Sequence, residues 1–416
     1  MTSVRTSVCI VGGGPAGLTL GLLLAKRGAD VLVLEGHEDF EREFRGEVLQ
    51  PSTAALLDEL GLLEYVLAQP HSILEAGKVR LNGREVGEFR FKKIAPKYPY
   101  AIWMPQPIFL EALRRKAAAF PSFQCWMGAK ATSLVEEGGK VVGLSGLRHG
   151  REGFEVRADV VVAADGRYSA LARLGGFEAA YEHHDFDLIW FTIEQPPGWT
   201  STFYVSMGDV RGLMLPKYPH HVQAGLALPT GEWKRWRDEG VAAVAERVRR
   251  FDPIFTDFAA SLRDFKPFFP LEGIIRLMRE WSRDGMLLIG DAAHTMSPAG
   301  AIGVNVAIAT AAVAAHVLYP HFGHGPIGRE VLQEVQRLRE SDVRTLHRLQ
   351  LGAQGVLLGQ GSRNPATRWL VQTALPLVLR SPVLPLVQRR LFFGAPLPPI
   401  DPAFSFREPA QAAAGR

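Results

Sequence analysis

The chain is poor in cysteine: among 416 residues only Cys9 and Cys125 occur, and no C-x-x-C or H-E-x-x-H motif is present. The sequence therefore offers no disulfide framework and no metal site. Both cysteines sit in apolar strand-like runs, CIVGGG and FQCWM, and are expected as buried thiols in a reducing compartment. No block of Lys or Arg appears, and the net charge is only +4. That argues against nucleic acid as the main partner. There is no internal repeat. No cleavable leader is expected, because the first apolar run ends at Lys26-Arg27-Gly28 and not at small residues. Two stretches, 8–25 and 301–318, approach the roughly 18 apolar residues that flag a membrane span. Glycines and Pro15 break the first, Asn305 and His316 interrupt the second, and both are expected as buried elements. A cytoplasmic location is the expectation.

What is present begins with a βαβ unit. Val8 to Val11 reads as a strand, Gly12, Gly14 and Gly17 form G-x-G-x-x-G around Pro15 and Ala16, and 18–26 reads as a helix. A second strand ends at Glu35, 18 residues after Gly17. An acidic residue about 20 positions on is the one expected to bond a ribose hydroxyl. Glycines alone are weak evidence; strand, glycines, helix, strand and terminal carboxylate in one unit are strong evidence. The carboxylate favours an adenosine ribose without a 2′-phosphate.

The stretch 286–306, MLLIGDAAHTMSPAGAIGVNV, is the other landmark. Four apolar residues read as a buried strand, and Gly290-Asp291 end it, which puts one carboxylate at a strand's carboxyl end. Ala299, Gly300 and Gly303 are expected to open a helix whose free N–H groups and positive dipole end favour negative charge. That suits a flat cofactor that becomes anionic when reduced.

Between these landmarks, Arg45 reads as a grip for a pyrophosphate or as a solvated surface arginine. Ser52 is expected to cap a helix over 53–60. Residues 79–91 alternate around Asn82-Gly83 and predict a β-hairpin. Gln106-Pro107 starts a helix over 108–120, and 123–155 reads as an antiparallel meander. A buried strand over 159–164 runs into Asp165-Gly166. Strand signals dominate 186–229, helices are expected over 232–250 and 254–262, and a strand over 271–278. Residues 328–351 read as an amphipathic helix. The apolar remainder packs on the core, forms a dimer contact or touches a membrane surface, and 409–416 reads as a disordered tail.

Three motifs in this order, G-x-G-x-x-G at 12–17, Asp165-Gly166, and Gly290-Asp291 running into Pro298 to Asn305, resemble those of the FAD-dependent aromatic hydroxylases typified by p-hydroxybenzoate hydroxylase. The resemblance covers 8–318. It implies an α/β fold: a Rossmann-type FAD-binding domain of the glutathione-reductase kind, interleaved with a mixed-sheet substrate domain and followed by C-terminal helices. The expected division is 1–75, 99–180 and 274–325 for FAD, 76–98 and 181–273 for substrate, and 326–416 for a C-terminal helical region.

The resemblance also implies roles. Gly12, Gly14 and Gly17, with Pro15 and Ala16, approach the pyrophosphate; Glu35 takes the adenosine ribose; Arg45 and Gln106 contact the middle of the cofactor. Gly290 and Asp291 hold the ribityl chain. Pro298, Gly300, Gly303, Val304 and Asn305 line the isoalloxazine, and Pro298, Gly300 and Asn305 are the expected catalytic surroundings. Asp165 and Gly166 are tied to FAD and to NAD(P)H. The implied chemistry is reduction of non-covalently bound FAD by NAD(P)H, formation of a flavin hydroperoxide with dioxygen, and hydroxylation of an electron-rich ring.

Two departures bear on substrate. Thr310 stands where the family often has Asp, and Ile302 where it has Lys or Gln; no Arg–Tyr pair for a benzoate is identifiable. The expected substrate is therefore a larger apolar aromatic or polyketide/quinone-like molecule. Trp190, Tyr204, Met214 and Tyr218 are its candidate contacts, each equally readable as core, and His220-His221 as an aid to phenol deprotonation or a solvated turn. His294 reads as structural. A prenyl-type reductase or desaturase and a halogenase share the scaffold, but the WKRW run at 233–236 does not match the halogenase pattern W-x-W-x-I-P. The chain is expected as a monomer or homodimer.

Overall fold

The computed structural model describes residues 2–41, 48–358, 381 and 384–407. Its first sheet is built on Thr2–Val11, which pairs in parallel with Val31–Leu34 on one side and Glu152–Ala163 on the other. Val31–Leu34 pairs onward with Phe123–Trp126, and the last three residues of Glu152–Ala163 pair in parallel with Met286–Leu288. Where they pair in the centre of the sheet, Val8–Val11, Val31–Leu34, Val160–Ala163 and Met286–Leu288 are apolar and buried, as strands covered on both faces must be. The register fixes the site. Val11 lies opposite Ala163 and Leu34, and Ala163 opposite Leu288. Gly12, Glu35, Ala164-Asp165 and Ile289-Gly290-Asp291 therefore leave the sheet at one edge, the carboxyl edge where open parallel sheets bind ligands.

Residues 123–155 are only partly the expected meander. Phe123–Trp126 joins the parallel sheet at its edge, while Ala129–Glu137 and Lys140–Arg148 form the antiparallel ribbon that continues onto Glu152–Ala163. The edge position also explains why Cys125 is half-buried and not enclosed as expected, whereas Cys9, on the central strand, is buried. Burial pushes both thiols upward, Cys125 to about 11.

The second sheet runs in the order His294–Thr295, Phe269–Met278, Ala179–Glu194, His221–Pro229, Gly212–Lys217, Thr202–Met207, Ala76–Leu81, Arg84–Arg90. The last two strands form the expected hairpin, with Asn82 and Gly83 both at positive φ, as a tight primed turn demands. Side chains alternate between its faces. Ile189, Phe191, Met214 and Leu226 pack under helices Glu232–Asp238, Val241–Phe251 and Thr256–Ser261. Leu188, Trp190, Leu215 and Ala227 face the other way, toward Trp103, Ala299 and Ala301. The single helix expected over 232–250 is broken at Gly240, which sits at φ 95°.

Helix Gly303–Leu318 packs beside the first helix, Pro15–Lys26, in the core beneath the first sheet. The run Ala299–His321 is long and apolar enough to cross a membrane, but 72% of its most apolar window is buried inside the protein. The amphipathic C-terminal helix extends over Arg329–Leu358. The expected tail at 409–416 lies outside the described residues, as does most of the apolar segment before helix Leu384–Phe393.

Candidate active site

The three glycines of the first motif answer to different demands. Gly12 has φ +110°, and a Cβ there would lie 2.2 Å from the Ala164 carbonyl oxygen. A Cβ at Gly17 would lie 2.0 Å from the Gly12 carbonyl oxygen. Both are glycine because backbone meets backbone. Gly14 is different: a Cβ there would meet nothing within 4 Å, and its backbone is extended. It faces open space directly before Pro15, and no side chain caps the helix that follows. The amides of that helix start are available to an anion. The Glu35 carboxylate is buried beside them, accepting from the Gly13 N–H at 2.8 Å and the His37 N–H at 3.0 Å.

The small residues after Pro298 do not begin the long helix, as the sequence suggested. Ala299–Ala301 is a 3₁₀ turn, with Gly300 at φ 78° and Ala301 at φ 50°, and the helix proper starts at Gly303. A left-handed alanine carries roughly 1–2 kcal/mol of strain, so the turn must be held from outside. Gln50 donates to the Gly300 carbonyl at 2.6 Å. Gln350, on Arg329–Leu358, donates to the carbonyls of Ser297 and Ala299 and accepts from the Ser297 N–H. Asn305 donates to the Ala301 and Val48 carbonyls, and accepts from the Gln50 N–H and the Thr53 hydroxyl. All four hydrogen-bonding positions of the Asn305 amide are thus taken, which makes it a clasp between two segments and not a group offered to a ligand. The N–H groups of Gly303 and Val304, by contrast, meet no acceptor among the described residues.

At the same edge, Asp165 accepts from the Ser169 hydroxyl and the Leu171 N–H and holds the turn around Gly166, which sits at φ 84°. Burial raises its pKa, against those hydrogen bonds. Asp291, partly exposed, lies 3.9 Å from the Arg167 guanidinium. Arg167, Arg173 and Arg276 border a cavity of about 280 Å³ beside this turn. Arg276 also pairs with Glu182 and donates to the Arg167 carbonyl.

Residues 5–326 match the family model described as an FAD-binding domain. Over 392 residues the chain is 36% identical to 6-methylpretetramide 4-monooxygenase of Streptomyces rimosus, covering 94% of this chain and 93% of that protein. It is 26% identical to protoasukamycin 4-monooxygenase of Streptomyces nodosus subsp. asukaensis, covering 90% and 95%. This chain belongs to the FAD-dependent monooxygenases. Among solved structures, p-nitrophenol 4-monooxygenase of Pseudomonas putida DLL-E4 superposes with a TM-score of 0.79 at 20% identity, over 95% of this chain and all of that one, a likeness of fold.

The monooxygenase's residues fit FAD. Open space at Gly14 beside uncapped helix amides suits a pyrophosphate, and the unbonded amides of Gly303 and Val304 suit an electron-rich ring edge. Pro298 precedes the turn and Gly290, at φ 58°, ends the strand that delivers Asp291. Gln106 stands at the first position of helix Gln106–Ala117, after Pro105. Arg45 lies outside the described residues.

The substrate candidates separate by strand parity. Trp190 lies on the face toward Ala299 and Ala301, stacked over Gly225, where a Cβ would come within 2.7 Å of its ring. Met214 and Tyr204 fall on the opposite face; Met214 is fully buried under the helices, and Tyr204 packs against Trp199 and the Arg80 guanidinium. Tyr218 is exposed in the turn before Pro219, and His221 opens the next strand beside that turn. His294 is structural: it is buried against Trp281, with Nε2 3.1 Å from the Thr310 hydroxyl. Thr310 also accepts from Arg339. Ile302 is buried in the core beside the turn. The helix starting after Gln50 is Pro51–Glu59; Pro51 opens it, and Ser52 makes no cap. The residues that sequence reasoning missed are Gln50, Thr53 and Gln350. Each is a buried polar side chain, but their partners lie 250, 252 and 53 residues away, and no local pattern announces them.

Proposed function

We propose that this monooxygenase hydroxylates a fused-ring aromatic polyketide, using electrons from NAD(P)H. The observation that carries the reading is the 36% identity to 6-methylpretetramide 4-monooxygenase along nearly the whole of both chains. The geometry is in keeping with it. The sheet face toward the Ala299–Ala301 turn is apolar, with Leu188, Trp190, Leu215 and Ala227 packed beside Trp103, a composition suited to rings.

Bound FAD supplies the capacity to accept a hydride and to activate dioxygen. The protein's own residues do the rest. The N–H groups of Gly14, Ala16 and Gly17 receive the pyrophosphate, with Pro15 and Ala16 opening that helix, and Glu35 meets the adenosine ribose. Gln106 contacts the middle of the cofactor, and Asp291 binds the ribityl hydroxyls. The N–H groups of Gly303 and Val304, at the positive end of their helix, stabilise negative charge on the ring's pyrimidine edge. Pro298, Gly300 and Ala301 shape the wall that excludes water from the reacting atoms, and Asn305 holds that wall in place. Asp165 and Gly166 set the turn that carries Arg167 and Arg173, and with Arg276 these form the cationic approach for the phosphates of NAD(P)H.

The test is a substrate panel: 6-methylpretetramide and other fused-ring phenols against single-ring benzoates, followed by NADH and NADPH oxidation by the FAD-loaded enzyme. Fused-ring phenols are expected to accelerate oxidation at least tenfold more than benzoates. Equal or greater stimulation by benzoates would refute the reading.

A further inference from the structure

A second cavity, of about 730 Å³, lies on the flank of helix Gly303–Leu318, where Ile302, Val306 and Ala309 share one face. Helix Pro51–Glu59 walls it on one side and Arg329–Leu358 on the other, and residues 386–399 close over it. Gly12, Glu35, Asp165 and Asp291 do not line it, and it meets the candidate active site only at the clasp residues Gln50, Thr53 and Asn305; helix Gly303–Leu318 stands between it and the glycine loop, its other face packed in the core against Pro15–Lys26.

The wall carries an excess of positive charge. Arg339 is 2% exposed and donates to Asp342 Oδ2 at 3.2 Å. The other oxygen of Asp342 receives Arg390 at 3.1 Å and the Ala395 N–H at 2.7 Å. Two guanidiniums thus share one carboxylate. Of the remaining charged groups on the wall, Arg389 and Glu59 are both exposed and opposite in sign. Burying a guanidinium without a full counter-charge is strongly unfavourable unless an anion completes the site. Val306, Leu346, Phe392 and Phe393 give the rest of the lining an apolar stretch, and Gln50, Ser52, Thr53 and Asn305 line its polar end. The volume falls within the roughly 300–1,000 Å³ of small-molecule sites.

We propose that this cavity binds an acidic, ring-bearing small molecule, its carboxylate or enolate on Arg339 and Arg390 and its rings against Val306, Leu346 and Phe392. A guanidinium pair holds such an anion through parallel N–H donors. The site is independent of the substrate reading above, because its recognition needs neither turnover nor the sheet face at Trp190.

The experiment titrates the FAD-loaded protein with fluorescent 2-anthracenecarboxylate and with the neutral 2-anthracenecarboxamide. The acid is expected to bind saturably and at least tenfold tighter than the amide. Arg390→Ala, at the half-buried rim, is expected to weaken the acid at least tenfold. Ala309→Phe, which fills the cavity, is expected to abolish its binding, with full FAD content kept in both variants. Equal binding of acid and amide, or unchanged binding of the acid to either variant, would overturn the proposal.

Discussion

Gly14 and Gly17 stand three residues apart in one motif and predict opposite phenotypes. Gly14 is extended and faces open space, so Gly14→Ala is expected to leave the melting temperature of the FAD-free protein within about 1 °C of the parent, a change of no more than about 1 kcal/mol. On the proposed placement of FAD the methyl group intrudes where the pyrophosphate would approach, and FAD affinity is expected to fall at least tenfold. Gly17→Ala drives a Cβ into the Gly12 carbonyl and is expected to lower the melting temperature even without FAD. If both variants lose only FAD affinity, the division of roles is wrong. A second prediction concerns buried histidines. Burial lowers His294 from 6.5 to about 3 and His347 to about 4. The unfolded chain therefore binds more protons than the folded one below pH 6.5. Stability is fully present above that value and is lost as pH falls toward 4, by up to roughly 1 kcal/mol per pH unit for each histidine. Urea midpoints at pH 7.5, 6 and 5 check this; a flat profile contradicts it.

Among elements, the turn Ala299–Ala301 is the one whose conformation depends most on distant side chains. Gln350→Leu removes three hydrogen bonds to Ser297 and Ala299. Each buried group left unbonded costs roughly 1–3 kcal/mol. The variant is expected to be less stable and to bind the flavin ring loosely, read as a lower melting temperature with a shifted flavin absorption band. An unaltered band would show that Gln350 does not set the ring's wall. Val304→Pro removes one N–H where the helix tolerates proline, in its first turn. It is expected to weaken sulfite addition to the flavin, which places negative charge at the pyrimidine edge, with FAD still retained; unchanged sulfite affinity would remove Val304 from that role. The strand before Gly290-Asp291 was legible because four apolar residues end in a breaker. The turn after Pro298 was not, because Ala and Gly suit both a helix start and a left-handed turn, and the deciding hydrogen bonds come from Gln50 and Gln350.

At the scale of the whole molecule, three motifs far apart in sequence meet because parallel strands share one register, from Val11 to Ala163 to Leu288. Motif order made that meeting readable from the sequence, as did Glu35 at the end of its strand. Strand parity was not readable: Met214 and Trp190 look alike as strand residues, and only the helices over 232–261 decide which face is covered. Gly12 was expected beside the pyrophosphate, yet what compels glycine there is the Ala164 carbonyl of a strand some 150 positions later. The family's reaction is insertion of one oxygen atom from dioxygen into a bound substrate. The direct measurement is mass spectrometry of the product formed under ¹⁸O₂ from the phenol that most stimulates NAD(P)H oxidation. One heavy oxygen atom per product molecule is expected. A reduced, desaturated or halogenated product without the label would contradict it.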